Sequence, residues 1–468
     1  MNLWLQWFTV LWQLRPACSH LRSFLWFCTC VAGVSIRTDL LGVTSIVRAL
    51  GLKEMCYDRL LDSLHSRAIK LEKMTRLWTS IVLRLFPGIV TVNGRIVVVA
   101  DGIKVPKRGK KMPAVKLLHQ QSESNTKPQY IMGHSYQAIS LLVSACKSVF
   151  AVPLASRIHE GIVLSNRDTR TLLDKMVSLL SSLAISQPLY FVADAYYASK
   201  KVIDGLLQQR NHLVTQVRSN AVAYLPAEAA KGQRKKGRPK KYGKKLQLRS
   251  LFSDPNSMQT ADSPVYGEKN VSIQFRCIDL LWRPVGITVR FVLVVHPTRG
   301  RCILMCTDLS LDAIEIIRLY GLRFKIELSF KQAVRTIGAY AYHFWMSDMK
   351  PLKRRNGNQY LHRETQTYRE NVMRKIGAYH LFVHVGIVAQ GLLQYLSVCY
   401  PELIWRSFGS WIRTIRPGIP PSEMVTAMAL RQAFPHFLLN TKTKSVLAKF
   451  IVDRIDLNRS EGLRLVSR

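Results

Sequence analysis

The chain has 468 residues, with 68 Lys and Arg against 29 Asp and Glu, a formal charge of +39. Its 48% hydrophobic content excludes a disordered polymer and leaves a sizeable core for one large domain or two to three smaller ones. So basic a chain calls for a polyanionic partner, nucleic acid first and an anionic membrane surface second. The nine cysteines are scattered and contain no CxxC pair, so they read as reduced thiols of a cytosolic protein.

Residues 1–34 are rich in Trp, Leu and Phe. Arg15, His20 and Arg22 split them into pieces shorter than the roughly 20 residues a bilayer needs. No basic residue precedes the first apolar run, as a secretory signal would require. Two packed helices are expected. Residues 39–66 read as two amphipathic helices around a turn at Gly51. Val43, Ile46, Val47 and Leu50 form one apolar face; Met55, Leu60, Leu61 and Leu64 resume it. The pattern fits a DNA-reading helix-turn-helix and a plain helical hairpin equally. A further helix over residues 68–85 ends at Phe86-Pro87-Gly88.

Two apolar runs then end in aspartate. Asp101 follows Arg95-Ile96-Val97-Val98-Val99-Ala100, and Asp194 follows Leu189-Tyr190-Phe191-Val192-Ala193. Both read as buried central strands, whose ends face the site edge of an α/β sheet. Strands are expected near 95–105, 133–144, 147–155 and 212–217. One helix should start at an Asp168 or Thr169 cap, with Leu172, Leu173, Met176, Leu179 and Leu180 inward, and another from Ser199. The run from Lys104 to Lys111 includes Lys107 and Arg108 and reads as a basic loop, suited to a phosphate backbone or merely solvated. His134 reads as structural.

Residues 231–249 hold ten basic and no acidic residues. Within them Gly237-Arg238-Pro239-Lys240-Lys241 is similar to a minor-groove hook. Strands near 271–280, 286–296 and 301–307 follow. Next comes Tyr320-Gly321-Leu322-Arg323-Phe324-Lys325-Ile326-Glu327-Leu328-Ser329-Phe330-Lys331, read as one largely buried helix. Tyr320, Arg323, Glu327 and Lys331 fall on one face. An internal Arg–Glu pair is the plainer account of that stripe. Two strand-borne aspartates and a helix-borne glutamate can also hold two divalent cations about 3.5–4 Å apart, the arrangement for phosphodiester cleavage.

These residues resemble the DDE transposases of bacterial insertion sequences, the cut-and-paste group marked by Tyr-x2-Arg-x3-Glu-x6-Lys. Tyr320, Arg323 and Glu327 match the signature; Ala-Asp101-Gly and Ala-Asp194-Ala-Tyr-Tyr match its aspartate blocks. The likeness spans about residues 95–345. The signature lysine position is Val334, flanked on the same face by Lys331 and Arg335, either of which could supply the cation.

The resemblance implies an α/β fold: a ribonuclease-H-like core interrupted by a β-rich insertion, with all-α terminal regions. It divides the chain at 1–90, 91–217, 218–310, 311–345 and 346–468. It implies that Asp101, Asp194 and Glu327 hold two Mg²⁺ (or Mn²⁺) ions for strand cleavage and transfer, with Tyr320 and Arg323 placing phosphate. The implied partner is double-stranded DNA, bound by a homodimer in the cytoplasm at the nucleoid, with no membrane. Relatives cut through a DNA hairpin, so Trp282 reads either as a platform for an extruded base or as a tryptophan closing its own β-hairpin. A decayed, non-enzymatic DNA-binding copy is the alternative that Val334 leaves open. A basic membrane-associated protein is the second.

After the signature, His343-Phe344-Trp345 reads as core and 350–375 as a basic loop. Residues 376–400 are apolar, yet His380, His384, Gln390 and Gln394 favour burial against protein over a membrane span. The tail reads as short helices broken at Pro417, Pro420, Pro421 and Pro435.

Overall fold

The structure is a computed structural model that describes residues 2–120, 128–146, 148–227, 240–353, 355–409, 418–439 and 445–458. A 13-stranded mixed sheet runs through it. At its centre lies β1 (Arg95–Pro106), between antiparallel β2 (Tyr130–Ala145) and parallel β4 (Leu189–Ala193). β3 (Ser148–Ile158) pairs antiparallel with β2, and β5 (His212–Val217) runs parallel to β4.

The continuous apolar run of β1 follows from burial on both faces. Ile96, Val98 and Ala100 enter one core; Val97 and Val99 enter another. β4 alternates likewise, with Leu189, Phe191 and Ala193 on the first side and Tyr190 and Val192 on the second. Extending this alternation puts Asp101 and Asp194 on the second face. The second core also contains Ile316, Leu319 and Ile326, from the helices that carry the signature.

The strands expected before the glutamate are present as β6 (Ser272–Trp282), β7 (Ile287–His296) and β8 (Gly300–Cys306). They continue the same sheet, with β8 antiparallel to β5.

The N-terminal helices are α1 (Leu3–Trp12), α2 (Leu21–Ile36), α3 (Gly42–Ala49), α4 (Cys56–His65) and α5 (Leu71–Leu85). Trp4, Trp7, Phe24 and Phe27 are fully buried, so the aromatic start of the chain is core. Gly51 turns between α3 and α4 at φ +63°. Met55 departs from the expected apolar face: it sits before α4 and is exposed. The next helix, α6 (Leu172–Ser182), is capped by Thr171 in a capping box with Asp174, not by Asp168 or Thr169. Asp168 instead accepts from Arg170, outside the helix. α7 (Lys200–Gln208) starts at its Ser199 cap as expected.

The expected single signature helix is two: α8 (Ala313–Leu322) and α9 (Lys325–Gln332), meeting at Arg323-Phe324. A left-handed Gly338 ends the helical run. Phe324 and Leu328 are exposed and Ile326 is buried, so the run covers the sheet on one side only.

The C-terminal helices are α10 (Gln366–Cys399), α11 (Pro401–Phe408), α12 (Glu423–Leu439) and α13 (Val446–Val452). α10 begins inside the stretch read as loop. It is the one helix among the described residues long and apolar enough to cross a membrane, and 94% of its apolar window is buried inside the protein. Its glutamines fix it there: Gln390 donates to Ser329 O at 3.1 Å, and Gln394 to Ala151 O at 3.2 Å. Pro435 lies within α12 rather than ending a helix.

Candidate active site

The site forms where β1, β4 and the α8–α9 junction meet. Asp101 lies within β1, where its burial gives way to alternating exposure. Its Oδ1 accepts from Gly102 N at 2.7 Å. Asp194 follows β4; its Oδ1 accepts from Tyr196 N at 3.1 Å, and its carbonyl accepts from Thr215 Oγ1 at 2.7 Å. Glu327 is in the first turn of α9 with its side chain 44% exposed.

Arg323 joins them. Nη1 is 3.1 Å from Asp101 Oδ2, and Nη2 is 2.9 Å from Glu327 Oε1. Burial works against the Arg323 charge, but Asp101, Tyr320, Glu327 and Asp194 outweigh it and hold its pKa up. Burial, then the nearby Asp194, pushes Asp101 up to about 6, while Arg323 and Gly102 N–H pull the other way. Burial raises Asp194, and Glu327 adds to it. The three carboxylates therefore lie within electrostatic reach of one another.

Tyr320 ends α8 and donates to Gln216 Oε1 on β5 at 2.8 Å. No local motif marked Gln216. Lys331, Val334 and Arg335 are all exposed past Glu327. Lys240 and Lys241 are exposed too, whereas Arg238 lies outside the described residues.

Two residues expected to touch DNA are not surface groups. Lys107 is only 7% exposed: its Nζ donates to Tyr340 O at 2.5 Å and Tyr342 O at 3.1 Å, and sits 3.5 Å from the Tyr342 ring centre. The carbonyls and ring after α9 draw it inward, whereas Lys104, Arg108 and Lys110 of the same basic run are exposed. Trp282 is 8% exposed and belongs to the main core. Its carbonyl accepts from Gly286 N at 2.8 Å, closing the β6–β7 hairpin, and its indole offers no open stacking face. His134 is structural: fully buried, it bonds Tyr342 Oη and Pro113 O.

A cavity of about 800 Å³ flanks the site. Tyr196 lines it with Gln137, Lys116, Arg157 and Lys175; none of the three carboxylates does.

Residues 45–276 match the family model described as DDE superfamily endonuclease. That segment is a DDE superfamily endonuclease domain. The match includes Asp101 and Asp194 and stops before Glu327. No curated protein matches the chain. Among solved structures, it is similar to the cryo-EM structure of a piggyBac transposase synaptic complex with hairpin DNA, at 12% identity and TM-score 0.37, covering 94% of this chain and 77% of that one. The NurA nuclease from Sulfolobus solfataricus gives 9% identity and TM-score 0.22, covering 58% and 86%. At these TM-scores neither likeness bears on the chemistry of this chain.

Carboxylate oxygens such as those of Asp101, Asp194 and Glu327 are the donor type a hard divalent cation prefers. Among the described residues, however, no three His, Cys, Asp or Glu side chains are grouped closely enough to hold an ion as they stand. Arg323 occupies Asp101 and Glu327 instead.

Proposed function

We propose that this protein is a DNA transposase, cleaving and transferring strands with a divalent cation, Mg²⁺ or Mn²⁺. The observation that carries the reading is that Arg323 bridges Asp101 and Glu327 with Asp194 in electrostatic reach, beside a segment, 45–276, that matches the DDE superfamily endonuclease model. The order β3-β2-β1-β4-β5, with β1, β4 and β5 parallel, supports a ribonuclease-H-like core.

Asp101, Asp194 and Glu327 would hold the metal, which when bound supplies a lowered water pKa and a clamp on the leaving oxygen. Arg323, once a cation takes over the carboxylates, is free to bind the scissile phosphate. Tyr320, fixed by Gln216, keeps the α8 end against β5. The exposed Lys240, Lys241, Lys331 and Arg335 would neutralise backbone on double-stranded DNA. A dimer on DNA fits two transposon ends.

The test is nicking of the DNA that flanks its own coding region, with Mg²⁺, Mn²⁺ or EDTA. Asp101→Asn, Asp194→Asn and Glu327→Gln should each abolish nicking and leave DNA binding in EDTA intact. Metal-independent nicking, or nicking by these variants, sinks the assignment. A decayed copy is the second reading, favoured by Val334 at the signature cation position, 40% exposed. It predicts DNA binding without nicking by the unaltered protein, and restored nicking in Val334→Lys.

A further inference from the structure

Two segments distant in sequence, 108–117 and the described residues of 345–358 (all but 354), form one surface. Met346 N donates to Lys111 O at 2.9 Å, Leu352 N to Lys110 O at 2.7 Å, and Leu117 N to Asn356 O at 2.8 Å. Lys111 Nζ adds a bond to Ser347 O at 2.8 Å. The buried Lys107 holds the chain just before both segments. The two loops are thus tied by backbone, and what they present is held in place.

They present a tryptophan among cations. Trp345 is 63% exposed, between Phe344 at 9% and Met346 at 4%, which anchor its backbone in the interior. The two segments contain eight Lys and Arg and one acid, Asp348. Arg108, Lys110, Lys350, Lys353 and Arg355 are exposed, and none forms an ion pair with a described residue. A fixed indole in water costs hydration with no packing in return. Unpaired cations beside it point to a polyanion with flat apolar faces. Unpaired nucleic-acid bases supply both, whereas a duplex hides its base faces.

We propose that this two-loop surface binds single-stranded DNA, with Trp345 stacking on a base and Arg108, Lys350, Lys353 and Arg355 on flanking phosphates. The inference rests on the DNA reading above and assigns it a strand form and a place. The surface begins at Arg108, seven residues beyond Asp101 and just past the end of β1, so at most roughly 23 Å away at about 3.3 Å per residue. A strand leaving the cleavage site can run along it.

The probe is a fluorescent oligothymidine, with a duplex of equal length as control, titrated by anisotropy in EDTA across a salt series. Trp345→Ala should weaken oligothymidine binding roughly 5- to 100-fold at unchanged salt slope, because an indole carries no charge. Trp345→Phe should retain most of the affinity. The Lys350/Lys353/Arg355→Gln triple should flatten the slope by about 0.7 for each phosphate it no longer neutralises. Melting temperatures should stay level, since every altered side chain is exposed. Wild-type oligothymidine affinity in Trp345→Ala overturns the proposal, as does an equal loss on single strand and duplex. Failure of the nuclease reading looks different: metal-dependent nicking is then absent while the Trp345-dependent binding persists.

Discussion

Arg323 Nη1 lies 3.1 Å from Asp101 Oδ2, joining residues 222 positions apart in the chain. The same guanidinium meets Glu327 at 2.9 Å. It is the internal counter-charge of a carboxylate cluster. Arg323→Gln should cost about 1–2 kcal/mol at neutral pH, between the values for exposed and buried pairs. Without the cation, Asp101 moves further above its ordinary pKa. A carboxyl raised in the folded state contributes stability that is full below its unfolded pKa and lost as pH rises through the folded one. The deficit of the variant should therefore grow above about pH 6 and shrink in acid, and millimolar Mg²⁺ should restore more to the variant than to the parent. Thermal melts across pH decide it; a deficit independent of pH and metal would show that Arg323 only packs.

Arg37 is buried after α2 and donates to Ile337 O at 2.7 Å and Gly338 O at 2.8 Å, just past the Glu327 helix. It also reaches Gly42 O and Ser45 Oγ on α3. Gly338 has φ +65°, and a Cβ there would stand 2.4 Å from Arg37 Nη2. Gly51 has φ +63° with nothing near. Gly51→Ala should cost about 1–2 kcal/mol for backbone conformation alone. Gly338→Ala should cost that plus about 1–3 kcal/mol of overpacking. Equal urea midpoints for the two variants would refute the clamp.

The strands and the N-terminal helical pair were legible because short apolar runs and helical periodicity encode them locally. Arg323 and Glu327 were legible through their spacing. What the sequence hid was partnership across distance. Nothing near Lys107 announces that carbonyls more than two hundred residues on will bury it, and nothing near Trp345 announces that Phe344 and Met346 take the core while it does not. Arg37 looks like any cation between two helices. The break at Arg323-Phe324 was masked because each half has helical periodicity.

Trp282 is packed in the main core at the end of β6, paired in register with Ile287. Trp282→Ala should cost about 3–5 kcal/mol. Nicking and every later step should then fall together, following the folded fraction, and Trp282→Phe should recover most of the stability. A selective loss at one DNA step in a fully folded Trp282→Ala protein would return the indole to the site.

Lys107 has no acidic partner among the described residues. Burial lowers it from 10.5 to about 7, while two carbonyls and the Tyr342 ring give the ammonium its remaining support. A lysine lowered in the folded state contributes stability that is full above the unfolded pKa and lost as pH falls through the folded one. Between about 7 and 10.5 the unfolded chain binds the proton and the native one does not, so this group makes stability rise with pH across that window. Lys107→Met fills the same space without a proton to bind. The difference in unfolding free energy, parent minus variant, should therefore increase from about pH 7 toward pH 10 and be flat below about pH 6. Urea denaturation of both proteins over that range measures it. A difference that falls with rising pH would mean that Lys107 stays charged throughout, held by the two carbonyls and Tyr342 more strongly than burial opposes.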